Sequence, residues 1–285
     1  MERKPDWLKI KIESGENYAK VKKIVELNKL HTICSSGKCP NVGQCWSLGT
    51  ATFMILGDIC TRSCKFCATK TGKPLPVAPE EADKVAKSVR LMKLKHCVIT
   101  SVDRDDLDDL GASHWAHTIK TIREQNPSTV IEVLIPDFDA RKELLDIVIE
   151  AQPDIIGHNM ETVKRLTPSV RSRAKYDKSL EVLKYIAESN VIAKSGIMVG
   201  IGETENEVVE LMHELHEIGC RLFTIGQYLR PTMNNIPVER YVTPEEFDRY
   251  KTIGTEIGFD HIESGPLVRS SYMAERTFIE SKIAK

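Results

Sequence analysis

After residue 50 the chain repeats one pattern: a short apolar run, then a longer stretch in which apolar and charged positions recur at helical spacing. The apolar runs are TFMILG (52–57), HCVITSV (96–102), VIEVLIP (130–136), DIIGHN (154–159), AKSGIMVG (193–200) and RLFTIGQY (221–228). Between them lie PEEADKVAKSVRLMK, DLGASHWAHTIKTIREQ, ARKELLDIVIEA, KSLEVLKYIAES and ENEVVELMHELHEIG. Such alternation predicts βα units around a parallel sheet. The last of these helices opens on a capping box, Thr204 with Glu207, and stops at Gly219. A second box, Thr243 with Glu246, has Pro244 at the first helical position and opens a helix near 244–257. Six units over about 180 residues are too few for an eight-unit barrel. An open doubly wound sheet and a partial barrel both fit, and periodicity does not choose between them. The first 50 and last 50 residues are less regular and read as attachments to this α/β core.

The composition of the 285 residues changes this picture little. Hydrophobic residues make up 41%, and Lys+Arg (40) balance Asp+Glu (41) for a net charge of -1. The two signs intermix, so neither a nucleic acid nor another polyanion is an expected partner. The N-terminal MERKPDWLKIKIESG is charged and carries no secretory pattern, and the apolar runs are too short for a membrane span. A cytoplasmic protein is the expectation.

The cysteines change it more. Six of eight fall between Cys34 and Cys67, a crowding that in a reducing compartment reads as metal or redox chemistry rather than disulfides. Cys97, inside HCVITSV, and Cys220, before RLFTIG, read as small buried hydrophobes. Cys60, Cys64 and Cys67 form C-x3-C-x2-C directly after the first predicted strand, at the sheet edge where α/β enzymes place their sites. Thr61, Arg62 and Lys65 add donors and positive charge. Three thiolates without a fourth leave one metal position open, as catalytic sites do. A zinc loop borrowing a distant histidine is the plainer alternative. The second set, Cys34, Cys39 and Cys45, lies in CSSGKCPNVGQC, where Gly37, Pro40 and Gly43 make a tight turn-rich loop. Gaps of four and five suit a zinc knuckle poorly, though a zinc completed by His31 remains an alternative.

Weaker signals elsewhere have plain readings. SGIMVGIGE (195–203) ends a strand in glycines that allow close backbone approach, but it lacks a GxGxxG fingerprint, so a tight turn serves as well. DRDDLDD (103–109) reads as a solvated acidic helix start rather than a cation site. His213 and His216 in HELH do not form HExxH and read as a solvated helix face.

The C-x3-C-x2-C loop, with Phe66 before its last cysteine and a strand before its first, resembles the radical S-adenosylmethionine superfamily. Both cysteine sets together, with RKPDWLK (3–9), GDICTRSCKFCAT (57–69), SVDRDDL (101–107), HNMETV (158–163), SGIMVGIGE (195–203) and GPLVRSSY (265–272), resemble the lipoyl synthase family within it over essentially the whole chain. One departure is Met273, where many members have a histidine.

The resemblance implies a partial (βα)6 TIM-like barrel at 51–232. An N-terminal extension (1–50) would carry one cysteine set and a C-terminal extension (233–285) the RSSY serine, the two closing the active site. It implies two [4Fe–4S] clusters with S-adenosylmethionine as cosubstrate. Cys60, Cys64 and Cys67 would hold the cluster whose open iron chelates S-adenosylmethionine. Cys34, Cys39, Cys45 and Ser271 would hold an auxiliary, sulfur-donating cluster. Asn159 and Glu203 are implied cofactor contacts. The implied reaction inserts sulfur at carbons 6 and 8 of an octanoyl chain bound to a carrier-domain lysine, unactivated positions that need radical chemistry. The expected partners are octanoylated carriers (2-oxoacid dehydrogenase E2 subunits and the glycine cleavage H protein) and a ferredoxin or flavodoxin electron donor. The protein itself is expected to be a monomer. Another radical enzyme with an auxiliary cluster is the competing reading.

Overall fold

The computed structural model describes residues 4–10, 15–272 and 274. Met273 lies outside the described residues. The chain divides into two compact units: Lys11–Ser63 with Ala68–Ile156, and Met1–Ile10 with Cys64–Cys67 and Gly157–Lys285.

The first unit carries β1 (His31–Thr32), β2 (Thr52–Ile55), β3 (Ile59–Cys60), β4 (Lys70–Thr71), β5 (His96–Ser101) and β6 (Val130–Leu134); the division between the units falls inside β7 (Ile155–Gly157). β1 pairs antiparallel with β2, His31 facing Met54. β2, β5 and β6 run parallel, with Thr52 beside Val98 and His96 beside Val130. All four β2 residues and the first five of β5 are buried, which is why these strands read as continuous apolar runs rather than alternations. Helices Glu81–Met92 and Ala112–Gln125 turn apolar stripes inward: Ala82, Val85, Ala86 and Val89 on one, Trp115, Ile119 and Ile122 on the other. β3 and β4 form a separate two-stranded parallel pair.

In the second unit β8 (Ile192–Val199), β9 (Leu222–Gln227) and β10 (His261–Gly265) are parallel neighbours, Gly196 beside Thr224 and Gly265 beside Gly226. Helices Tyr176–Ala187, Glu205–Glu217 and Pro244–Ile257 cover a core that includes Leu183, Leu211, Phe223, Phe247 and Ile262. Both expected capping boxes form, each with its threonine hydroxyl and N3 glutamate bonded reciprocally. Gly219 closes its helix at φ 90°. β10 is a parallel strand in a stretch whose sequence looked irregular: HIESG buries His261 and Ile262 and gains its strand form by pairing along β9. Among the described residues no helix is long and apolar enough to cross a membrane.

Candidate metal centres

Cys60 ends β3. Its Sγ accepts the backbone N–H groups of Arg62 (3.4 Å) and Asp103 (3.3 Å), and its thiol donates to the Asp103 carboxylate at 3.5 Å. Burial, with the Asp103 charge beside it, pushes this thiol up to about 12. Two amides aimed at one sulfur are the donors that a metal-bound thiolate uses.

Arg62 is held by acids. Its guanidinium bonds Asp105 through Nε and Nη2 (2.9 and 2.8 Å), forks onto Asp137 (3.0 and 2.8 Å), and stands 3.4 Å from Asp103. Burial works against this charge, and the three carboxylates outweigh it and raise the pKa. Its charge is engaged by these acids, so Arg62 does not supply the free positive charge expected from sequence. The DRDDLDD run is likewise no solvated helix start. Asp103 and Asp105 serve Arg62, buried Arg104 bonds Asp106 and the Leu56 carbonyl, and the helix begins only at Ala112. Asp109 alone acts at that helix N-terminus, accepting from Gly111 and Ser113.

Cys64 and Cys67 belong to the second unit. The Cys67 N–H donates to the Cys64 carbonyl (3.1 Å) and Lys65 N–H to the Val170 carbonyl (2.9 Å). Asn235 donates both side-chain N–H groups to this stretch, to the carbonyls of Lys65 (3.1 Å) and Cys67 (2.8 Å), and Ile236 N–H adds a third bond to Lys65. Asn235 is itself fixed, since its Oδ1 accepts from Thr232 and its carbonyl from Arg230. Phe66 packs on Val170, Ile201 and Tyr228. Its place before the last cysteine is therefore a packing requirement. Cys64 Sγ lies 3.7 Å from the Ser172 hydroxyl.

The Cys34, Cys39 and Cys45 set lies wholly in the first unit. Thr32 caps the short helix Ile33–Ser36 that carries Cys34, Cys39 N–H donates to the Cys34 carbonyl (3.0 Å), and Cys45 sits in the helix Val42–Ser47. Cys34 and Cys45 share a small core with Val21, Val25, Trp46 and Ala51. Burial raises both thiols; the charges of Cys34 and Cys39 push Cys45 further, to about 12. Three thiols close enough to oppose one another's ionisation need a cation to hold them as thiolates. Among the described residues no group of three or more His, Cys, Asp or Glu gathers on a single metal ion. A four-iron cluster takes its thiolates at separate corners, so its ligands need not converge on one point. The Cys34, Cys39 and Cys45 thiols, which oppose one another's ionisation, fit such a group.

At the C-terminal ends of the second unit's strands, Asn159 Nδ2 donates to the Ser270 hydroxyl (2.7 Å) and to Glu161 Oε1 (3.2 Å). Tyr272 N–H closes a turn onto the Arg269 carbonyl (2.9 Å), and half-buried Ser271 lies inside it. Of the residues expected to meet a cofactor, Asn159 is thus joined to the RSSY motif. Glu203, 5% exposed, spends its carboxylate on the N–H groups of Gly200 (2.6 Å) and Ile201 (2.9 Å). That is the tight-turn reading of SGIMVGIGE.

Cys97 and Cys220 are buried as expected. His213 is exposed, but His216 is not part of a solvated face: it meets Phe259 edge-on at 5.7 Å and Arg221 at 3.0 Å. Sequence reasoning missed Asp105, Asp137 and Asn235. A signal existed for the acids, which follow two consecutive predicted strands while one arginine sits in the cysteine loop. For Asn235, within RPTMNNIPV, no signal was present.

The sequence profile of the Radical SAM superfamily matches residues 54–215, and that of the N-terminal domain of lipoyl synthase matches residues 1–39. Lipoyl synthase of Bacteroides fragilis is 64% identical over 274 residues, 96% of this chain and 95% of the relative. Lipoyl synthase of Treponema denticola is 58% identical over 96% of this chain and 95% of the relative, and the mitochondrial lipoyl synthase of Nematostella vectensis is 55% identical over the same shares. Among solved structures, HydG, a maturase of the [FeFe]-hydrogenase, superposes with TM-score 0.59 over 93% of this chain and 75% of its own, at 13% identity. Streptococcus suis SuiB bound to S-adenosylmethionine superposes with TM-score 0.56 over 90% of this chain and 59% of its own, at 11% identity. These structural likenesses show the fold: the α/β class with a mostly parallel sheet, consistent with the expected partial TIM-like barrel.

Proposed function

The chain belongs to the lipoyl synthase family of the radical S-adenosylmethionine superfamily, and from that premise we propose which of its residues do the work. It is a sulfurtransferase that converts a protein-bound octanoyl-lysine to the lipoyl group, with sulfur inserted at carbons 6 and 8. It uses S-adenosylmethionine and [4Fe–4S] clusters.

Cys60, Cys64 and Cys67 hold the cluster that binds S-adenosylmethionine, and Cys34, Cys39, Cys45 and Ser271 hold the auxiliary cluster. When bound, these groups supply a carbon-centred radical and the sulfur it captures. The observation that carries the assignment is the gathering of Cys34 and Cys45 in one small core, with Cys39 near enough to oppose the ionisation of Cys45, apart from the Cys60 sulfur that already accepts two amides. The protein's own residues have distinct tasks. Arg62 fixes the Cys60 end of the loop, Asn235 and Phe66 fix the Cys64–Cys67 end, and Glu203 shapes the Gly200–Ile201 backbone that meets the cofactor. Asn159 is placed beside the same strand ends. The segments 1–50, 51–232 and 233–285 divide the labour as auxiliary-ligand extension, barrel and serine-bearing extension, the outer two closing the site. The carriers are 2-oxoacid dehydrogenase E2 subunits and the glycine cleavage H protein, the electron donor is a ferredoxin or flavodoxin, and the protein works as a cytoplasmic monomer.

The test is an oxygen-free reconstitution followed by one turnover on an octanoyl-lysyl peptide. Eight irons per chain are expected, about four per cluster, with 5′-deoxyadenosine formed and sulfide moved into the peptide. Ser271→Cys is expected to keep its iron and stall at sulfur transfer. A single cluster, or zinc at Cys34, Cys39 and Cys45, overturns the assignment.

A further inference from the structure

We propose that Asn159 is a positioning residue for the serine ligand: its amide latches Ser270, and through Ser270 the Arg269–Tyr272 turn that presents Ser271 to the auxiliary cluster. The inference rests on the reading of Ser271 as that cluster's fourth ligand.

The anchor is rigid. Two residues after Asn159, Glu161 sits at φ 64°, a left-handed conformation that a non-glycine residue keeps only when its surroundings impose it. Here they do: Glu161 N–H donates to the Gly196 carbonyl (3.1 Å), and Met198 N–H donates to the Glu161 carbonyl (2.9 Å). The Glu161 carboxylate then takes the second Asn159 N–H at 3.2 Å. A Cβ on Gly196 would stand 3.1 Å from Asn159 Oδ1, so that glycine makes the seat in which the amide lies. The strained backbone and the bare glycine together aim one N–H at Ser270, 111 residues away in sequence.

The latched segment packs on the strand ends. It crosses the ends of β9 and β10 at Gly226 and Gly265. A Cβ on Gly226 would run into the Val268 carbonyl, and one on Gly265 would come within 3.3 Å of the Val268 side chain. Beyond Val268, the turn carries its own Tyr272–Arg269 bond and the Asn159–Ser270 bond. A serine oxygen is a harder, less fitting iron ligand than thiolate, so its hold depends on how firmly the turn presents it. The Asn159 bond to Ser270, adjacent to the ligand, adds to that firmness. The two serines of RSSY thus differ in task, the first a latch and the second a ligand.

The experiment uses the full chain with Cys60, Cys64 and Cys67 changed to alanine, so that auxiliary iron alone is counted. After anaerobic reconstitution, the rate of iron release to a ferrous chelator is read for the parent, Asn159→Ala, Ser270→Ala, Ser270→Thr and Ser271→Ala. Asn159→Ala and Ser270→Ala are each expected to release iron about fivefold to tenfold faster, the worth of one hydrogen bond. Ser270→Thr, which keeps the hydroxyl, should match the parent. Ser271→Ala should be at least as fast, and adding Asn159→Ala to it should change nothing further, a non-additivity that general loosening would not produce. Parent-like release from both Asn159→Ala and Ser270→Ala, with Ser271→Ala fast, overturns the latch and leaves the ligand reading standing. Parent-like release from Ser271→Ala overturns that reading and the latch with it.

Discussion

The Arg62 guanidinium and the Asp137 carboxylate meet as a two-bond fork, Nη1 to Oδ2 at 3.0 Å and Nη2 to Oδ1 at 2.8 Å, with side chains 5% and 3% exposed. Lysine keeps the charge but cannot make this fork while also bonding Asp105. Arg62→Lys is therefore expected to destabilise the apo-protein by about 3 kcal/mol, the scale for breaking a buried ion pair. Urea unfolding measures it, and a loss under about 1 kcal/mol would show that the fork holds nothing.

Asn235 spends two N–H groups on the carbonyls of Lys65 and Cys67. Asn235→Ala removes both, about 2 kcal/mol of restraint on the Cys64–Cys67 stretch. In a chain with Cys34, Cys39 and Cys45 changed to alanine, the remaining iron should leave to a chelator roughly tenfold faster or more. An unchanged rate would assign the restraint to Ile236 and Phe66 instead.

The atom that blocks a side chain at Gly226 is the backbone oxygen of Val268, which cannot swing aside as a flexible side chain does. Gly226→Ala is expected to cost about 1–3 kcal/mol and to lift the segment that carries Ser270 and Ser271. Limited proteolysis should then cut the C-terminal segment faster, at a protease concentration that leaves the parent intact.

The Cys45 and Cys60 thiols are raised from 9.0 to about 12, chiefly by burial. The folded chain therefore favours their protonated forms. That contribution to stability is complete below about pH 9 and is lost as pH rises toward 12. At pH 8 each thiol is ionised roughly a thousandfold less in the folded apo-protein than in the unfolded chain. Iodoacetamide labelling of these two positions, read by mass spectrometry, should be correspondingly slow in the fold and fast in urea. Iron loading releases these protons, so reconstitution should quicken from pH 7 to pH 9.

Much of the fold was legible because it rests on short-range rules. Alternating apolar runs and helical stripes located six strands and their helices, and Thr204–Glu207 and Thr243–Glu246 marked two helix starts by local hydrogen bonds alone. β10 escaped because HIESG has little apolar pattern of its own and becomes a strand by pairing with β9. His216 was misread because helical spacing does not reveal Phe259 arriving from beyond the next strand. The cysteine sets stood out as spacings, whereas Ser271 was named only through resemblance, since a serine in a tail carries no signal of its own.

What the sequence determined by itself was therefore the class of sheet, the two groups of thiols and the reaction family, all encoded in neighbours close along the chain. What the tertiary structure decided was the charge and rigidity around those thiols. Arg62 reads as an unengaged cation until Asp103, Asp105 and Asp137 arrive from 41, 43 and 75 residues away, and Asn159 reads as a free amide until Ser270 reaches it across 111. The cause is physical: a side chain's partners, and so the field and restraint around it, depend on what the fold brings beside it, and a linear spacing contains no such distance.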